Sequence, residues 1–201
     1  AYAGYRFYLL QGLGGLPARA VFAALCIFVP LNLGMLGLLR ERGIFNWYGV
    51  RRTTLIAAQA AFTLWAAQRG SAILEPFYAP LLDFKWLARP PLPHAGLAAS
   101  ALGLAAALVA WAMRRSPVSL GLAGAIVAFA FAAASAATTD TFAVFASAGA
   151  LILIIAVLQD TFRMAFRDEL TALPSRRALN ERLAGLGRRY TLAMVDVDHF
   201  K

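Results

Sequence analysis

Acidic side chains are scarce in this sequence: ten Asp and Glu stand against nineteen Lys and Arg, a formal net charge of +9. Histidine occurs twice and cysteine once. A single cysteine excludes an internal disulfide, and Cys26 sits inside an apolar run, where a small thiol is packing material. Charged residues make up only 14% of the chain, against 61% hydrophobic ones and a mean hydropathy of +0.66. Soluble domains run at about a quarter charged and about half apolar, so a simple soluble globule is excluded. In a soluble protein the positive balance would suggest nucleic acid. Here the arginines fall in short clusters beside apolar runs, where they anchor and orient membrane helices, so no nucleic-acid partner is expected. The residues also give no expectation of a cleavable secretory leader. The chain opens on Ala1, and 2–15 reads as the tail of an earlier membrane segment, with further residues expected upstream.

What is present is a succession of long apolar runs. A helix crossing the hydrocarbon core needs about 20 mostly apolar residues. Five segments approach that length, at 17–39, 53–74, 94–113, 118–137 and 141–158, and a partial one before Gly12 makes a sixth. The segment at 53–74 is the weakest, interrupted by Arg69 and Gly70. Residues 1–158 therefore read as a transmembrane module in a lipid bilayer. Arg40, Arg42, Arg51 and Arg52 lie between the first two segments, and Arg114 and Arg115 between the third and fourth. The connection 69–93 is dilute in charge, with Glu75 and Asp83 offsetting its basic residues, and 138–140 has no basic residue. Basic connections stay in the cytoplasm. Alternation along the chain then puts the C-terminal end of the fifth segment there as well, as in a multi-pass protein of a bacterial inner membrane.

Some residues in the runs invite a ligand reading. Asn32, Gln59 and Gln68 are polar within apolar helices, which suits either a cavity or helix-to-helix hydrogen bonds, the commoner use. Pro30 is expected to kink the first helix, and Gly121 and Gly124 to permit close approach. Trp47, Tyr48, Trp86 and Trp111 fall near predicted helix ends, at interfacial depth. His94, beside Pro93, reads as a solvated cap, and 77–87 as a short amphipathic piece at the outer surface.

After Leu158 charges appear with no Gly or Pro break, so the fifth helix is expected to continue through 159–167 as a linker. Ile155, Leu158, Phe162 and Ala165 line one face of it, suited to a second copy or to the chain's own soluble domain. Pro174 ends any helix, and Ser175 can cap the next, which places Leu179, Leu183 and Leu186 on one face before Gly185 and Gly187. Residues 190–197 read as a strand with Asp196 and Asp198 on one face at its exit. Two neighbouring carboxylates suit a cation with bound phosphates, or a solvated acidic turn.

Two stretches carry a resemblance. Asp168-Glu169-Leu170-Thr171-Ala172-Leu173-Pro174-Ser175-Arg176-Arg177 resembles the D-x-L-T-G-L-P-N-R-R opening of GGDEF domains, with Ala172 in place of Gly and Ser175 in place of Asn. Residues 195–201, Val-Asp-Val-Asp-His-Phe-Lys, resemble the family's first-strand motif D-I-D-H-F-K. Both stand in the family's order and separation, and together span 168–201, the N-terminal part of such a domain. The implied fold is a polytopic α-helical membrane module of about five or six transmembrane helices, followed by the start of an α/β palm-like nucleotide cyclase domain.

The resemblance further implies a membrane-bound diguanylate cyclase that joins two GTP into cyclic di-GMP under control of the membrane module. Carried over residue by residue, Asp196 binds Mg²⁺ (or Mn²⁺) through its carboxylate and Val197 through its backbone carbonyl. His199 and Phe200 offer backbone N–H groups to the GTP phosphates, and Lys201 its side chain. Asp198 matches the motif with no assigned role. The family works as a homodimer, each domain holding half of the site. The namesake Gly-Gly-Asp/Glu-Glu-Phe turn is expected beyond Lys201, so 1–201 alone is expected to be inactive, with no catalytic residue assignable within it. A degenerate domain that senses GTP or cyclic di-GMP is the alternative reading. A transporter is disfavoured by the lack of a charged intramembrane pair.

Overall fold

A computed structural model of the chain describes residues 16–39, 46–69, 92–135, 139–168, 171, 173–191 and 193. The chain divides into two compact units, 1–157 and 158–201. Six helices are described: α1 Leu16–Leu38, α2 Trp47–Arg69, α3 His94–Arg114, α4 Pro117–Ala134, α5 Thr139–Phe166 and α6 Arg176–Ala184.

Four of them, α1, α3, α4 and α5, are long and apolar enough to cross a membrane. They form a helical membrane module. Of the five or six spans expected, four are found among the described residues. α2 does not meet the measure, because Arg51, Arg52, Gln59 and Gln68 interrupt its apolar residues. It also begins at Trp47, six residues before the expected 53, since Asn46 caps it: the Asn46 side-chain oxygen accepts from the Gly49 N–H at 2.9 Å. The partial helix before Gly12 and the amphipathic piece at 77–87, Trp86 included, lie outside the described residues.

In hydrocarbon, helices gain little from burying apolar surface against one another, so small residues that let backbones approach decide the packing. The first unit follows this rule. α1 and α3 run parallel, Cys26 meeting Gly96, Pro30 and Gly34 meeting Gly103, and Gly37 meeting Ala107. A Cβ on Gly34 would stand 2.6 Å from the Gly103 carbonyl oxygen, and one on Gly103 would overlap the Pro30 carbonyl. Pro30 stays inside α1, whose helix continues to Leu38. α4 turns back tightly after α3. Arg115 adopts a left-handed conformation at φ 51°, Ser116 caps α4 by accepting from the Val118 N–H, and Pro117 takes the first helical position.

α5 returns antiparallel to α4. Gly121 lies against Ala156, Gly124 against Ile152 and Gly149 against Ala128, the close approach expected of Gly121 and Gly124. Phe131 of α4 stacks on Phe145 of α5 with ring centroids 5.4 Å apart. Two apolar cores result, one around Phe22, Cys26, Ala132 and Phe142, the other around Ala107, Leu122, Ala123 and Ile126. Leu102, Met113, Phe131, Val144, Leu151 and Ile154 point outward, the surface that a bundle in lipid presents. α2 packs antiparallel on α1, with Ala66 buried against Ala20. Midway, Asn32 and Gln59 exchange two hydrogen bonds of 2.8 and 3.2 Å, so this polar pair joins helices; Gln68 is exposed.

These contacts bring the C-terminal ends of α1, α3 and the apolar span of α5 to one end of the bundle, with the start of α2. There Arg114 donates to the carbonyls of Gly37, Leu38 and Leu39, the last turn of α1. A cation at that position satisfies orphan carbonyls and opposes the helix dipole.

In the second unit the fifth helix persists to Phe166, as the absence of Gly and Pro predicts, and Phe162 stacks on Phe166 at 4.1 Å. Ile155, Leu158 and Phe162 are exposed. α6 is amphipathic, with Leu179 and Leu183 exposed, and Gly185 ends it. The expected strand at 190–197 is not formed where it is described: Tyr190, Thr191 and Ala193 belong to no strand. The described residues contain no strand at all, so the α/β part of the expected fold is not present among them. Among the described residues there is no second strand for it to pair with, and a lone strand leaves its backbone groups unpaired.

Candidate functional site

The residues that the GGDEF resemblance singles out divide into two groups. Of the opening signature 168–177, Glu169, Leu170 and Ala172 lie outside the described residues and the other seven are described. Asp196, Val197, His199, Phe200 and Lys201, assigned to metal and GTP, lie outside them, as does Asp198. Their donor set of carboxylate and backbone carbonyl is hard oxygen, the kind that suits Mg²⁺. Among the described residues no three His, Cys, Asp or Glu side chains gather as a metal site.

The opening signature forms a closed turn between α5 and α6. Asp168 begins it. One carboxylate oxygen of Asp168 accepts from both the Thr171 N–H and the Thr171 hydroxyl, each at 2.9 Å. Asp in this setting closes a turn on its own backbone neighbours, which explains an Asp and a Thr three apart. The Asp168 N–H then donates to the Leu173 carbonyl at 2.9 Å, and the Ser175 N–H to the Phe166 carbonyl at 2.9 Å. Between these, Arg167 and Pro174 pair as an isolated antiparallel bridge. Pro174 has no N–H to lose, and it stops any helix from continuing through the turn.

Ser175 holds both sides of the turn. Its hydroxyl donates to the Ala165 carbonyl at 3.2 Å, one of the last orphan acceptors of α5. The same oxygen accepts from the Ala178 N–H at 3.5 Å and caps α6, as the sequence predicts. One side chain therefore ties the last turn of α5 to the first turn of α6. The cap is legible from residue type, but the bond back to Ala165 and the Asp168–Thr171 pair are not part of the sequence reading. A Ser or Asn placed directly after Leu-Pro, with Asp seven residues before it, is the signal that points to both.

Chemically this turn is a mechanical joint. Among the described residues its groups are neutral or solvent-exposed and no nucleophile is set against a base, and its hydrogen bonds fix where α6 starts relative to the end of α5. Against known proteins, no family model, no curated protein and no solved structure matches this chain.

Proposed function

We propose that the chain is the membrane module and domain entry of a diguanylate cyclase, a bacterial inner-membrane enzyme whose cyclase end faces the cytoplasm. The observation that carries this reading is the clamped turn 166–175: the Asp168–Thr171 pair, the Arg167–Pro174 bridge and the double use of Ser175. Such a turn gives the Asp-x-Leu-Thr-x-Leu-Pro signature a physical purpose. It delivers the end of one helix, without slack, to the start of the next.

That helix is α5, a single run from Thr139 to Phe166, roughly 40 Å long at ~1.5 Å per residue. Its first part is an apolar span and its last part carries Asp160 and Arg163. A shift or rotation of the span arrives at the turn undamped. In the proposed homodimer, paired copies of the exposed Ile155, Leu158 and Phe162 face set how two cyclase domains meet. The arginine distribution supports a cytoplasmic C-terminal end, where GTP is available.

Asp196 and the Val197 carbonyl would hold the Mg²⁺ (or Mn²⁺), His199, Phe200 and Lys201 the phosphates. A bound metal would supply charge neutralisation at the reacting phosphate. The test uses the full-length protein in membranes with GTP and Mg²⁺, scoring cyclic di-GMP by mass spectrometry. The proposal expects product from the wild type and none from Asp196→Asn. GTP hydrolysis or no turnover in the wild type would contradict it, and GTP retention without turnover would favour the sensing alternative.

A further inference from the structure

Ser100 lies in the row of α3 that faces α1, between Gly96 and Gly103. It is only 7% exposed, and among the described residues its hydroxyl is the one buried side-chain polar group with no hydrogen-bond partner. Within a membrane span no water offsets that cost, so a small movement that supplies an acceptor is favoured.

An acceptor in the complementary condition stands across the contact. Pro30 has no N–H, so the Cys26 carbonyl one turn earlier lacks its intrahelical donor. That carbonyl faces α3, since a Cβ on Gly96 would stand 3.5 Å from its oxygen. Ser100 is one turn beyond Gly96, the direction in which the carbonyls of both parallel helices point.

The two halves of α1 are held differently. Beyond Pro30, Gly34 sits on the Gly103 backbone, and Arg114 of α3 grips the carbonyls of Gly37, Leu38 and Leu39. Before Pro30, Ala20, Ala24 and Phe28 border an open apolar groove against Phe62 and Ala66 of α2. The half that carries Cys26 therefore has room to move while the other is fixed, and a proline inside a helix is where such a bend falls.

We propose that Pro30 is a hinge and Ser100 a latch. The 16–29 half of α1 swings on α3 between two positions. In the one seen here the Ser100 hydroxyl is unpaired; in the other it donates to the Cys26 carbonyl. The new bond favours the second position, and the packing of Phe22 and Cys26 against Leu92, Ala132 and Phe142 favours the first. Through that cluster the swing reaches α4 and α5. The device belongs to the membrane module and does not rest on the reaction proposed for the full-length protein.

Cys26 is the one cysteine of the chain, so cysteine carrying ¹³C at its carbonyl labels a single site on the acceptor itself. The experiment records solid-state NMR of the labelled full chain in lipid bilayers over a range of temperature. The wild type is expected to give two carbonyl lines whose ratio changes with temperature, or one averaged line that moves with it. Ser100→Ala should abolish the downfield, hydrogen-bonded component. Pro30→Ala restores the missing N–H and should give one downfield line that a further Ser100→Ala leaves in place. A wild-type line that is single and indifferent to temperature overturns the proposal. So does a downfield component that survives Ser100→Ala on its own.

Discussion

Two glycines three residues apart on α1 should respond in opposite ways to the same substitution. In Gly34→Ala the new Cβ would sit 2.6 Å from the Gly103 carbonyl oxygen and 2.7 Å from the Gly103 Cα. Both are backbone atoms, so no rotamer change relieves the clash. α1 and α3 must part by about 0.8 Å locally to restore the 3.4 Å of ordinary contact. Overpacking of this kind costs about 1–3 kcal/mol, of which the better helix propensity of Ala returns at most about 1 kcal/mol. In Gly37→Ala the nearest atoms are the Ala107 Cα and Ala110 Cβ at 3.5 Å, an ordinary contact. Gly37→Ala should therefore be neutral or stabilising by up to about 1 kcal/mol. The assay is SDS-induced unfolding in mixed micelles, followed by tryptophan fluorescence. The reasoning predicts that Gly34→Ala unfolds at lower SDS than wild type and Gly37→Ala at equal or higher SDS. Equal midpoints for the two variants would refute the parallel α1–α3 packing on which the bundle rests.

The other interactions give further expectations. Asn32→Leu leaves the Gln59 amide without its partner and should cost about 1 kcal/mol in the same assay, with Asn32→Leu/Gln59→Leu recovering most of it; an additive double variant would show that the pair is not coupled. Ser175→Ala removes the α6 cap and the bond to the Ala165 carbonyl, about 0.5–2 kcal/mol, and should speed hydrogen exchange at the Ala178 amide. Ser175→Asn should leave that exchange near wild type, because Asn caps as well as Ser. Protection unchanged by Ser175→Ala would mean that the turn is held by its backbone bonds alone.

The extent to which this fold can be read from residues alone follows physical lines. The apolar spans are legible because hydrocarbon selects composition over about 20 residues at a time. α5 continues past Leu158 because no Gly or Pro interrupts it, and Ser175 declares the start of α6 because a hydroxyl after proline is a cap. The start of α2 is legible only to a reader who weighs Asn46 as a cap above the hydropathy of the segment; the arginines at 51 and 52 pull the boundary toward 53. The parallel contact of α1 with α3 is written in Gly34 and Gly103, yet nothing local says that these two glycines meet, since each is ordinary in its own helix. The same holds for Arg114, whose partners are carbonyls some 75 residues earlier in the chain. In the second unit the signature residues are recognisable from their order. Their turn geometry is not, because it depends on a hydroxyl reaching back ten residues from Ser175 to Ala165. The strand is expected from an apolar run that, at Tyr190, Thr191 and Ala193, has no neighbouring strand among the described residues to pair with.

In the proposed function the membrane span controls a cyclase through the unbroken helix α5. Single cysteines at Ile155, Leu158 and Phe162 of the full-length protein, oxidised to disulfides between copies in membranes, would lock the helix pair in three registers. Cyclic di-GMP turnover differing several-fold between registers, and returning to a common rate on reduction, is the result the account predicts. One turnover rate across all three locked registers, or no cyclic di-GMP in any state, would contradict it.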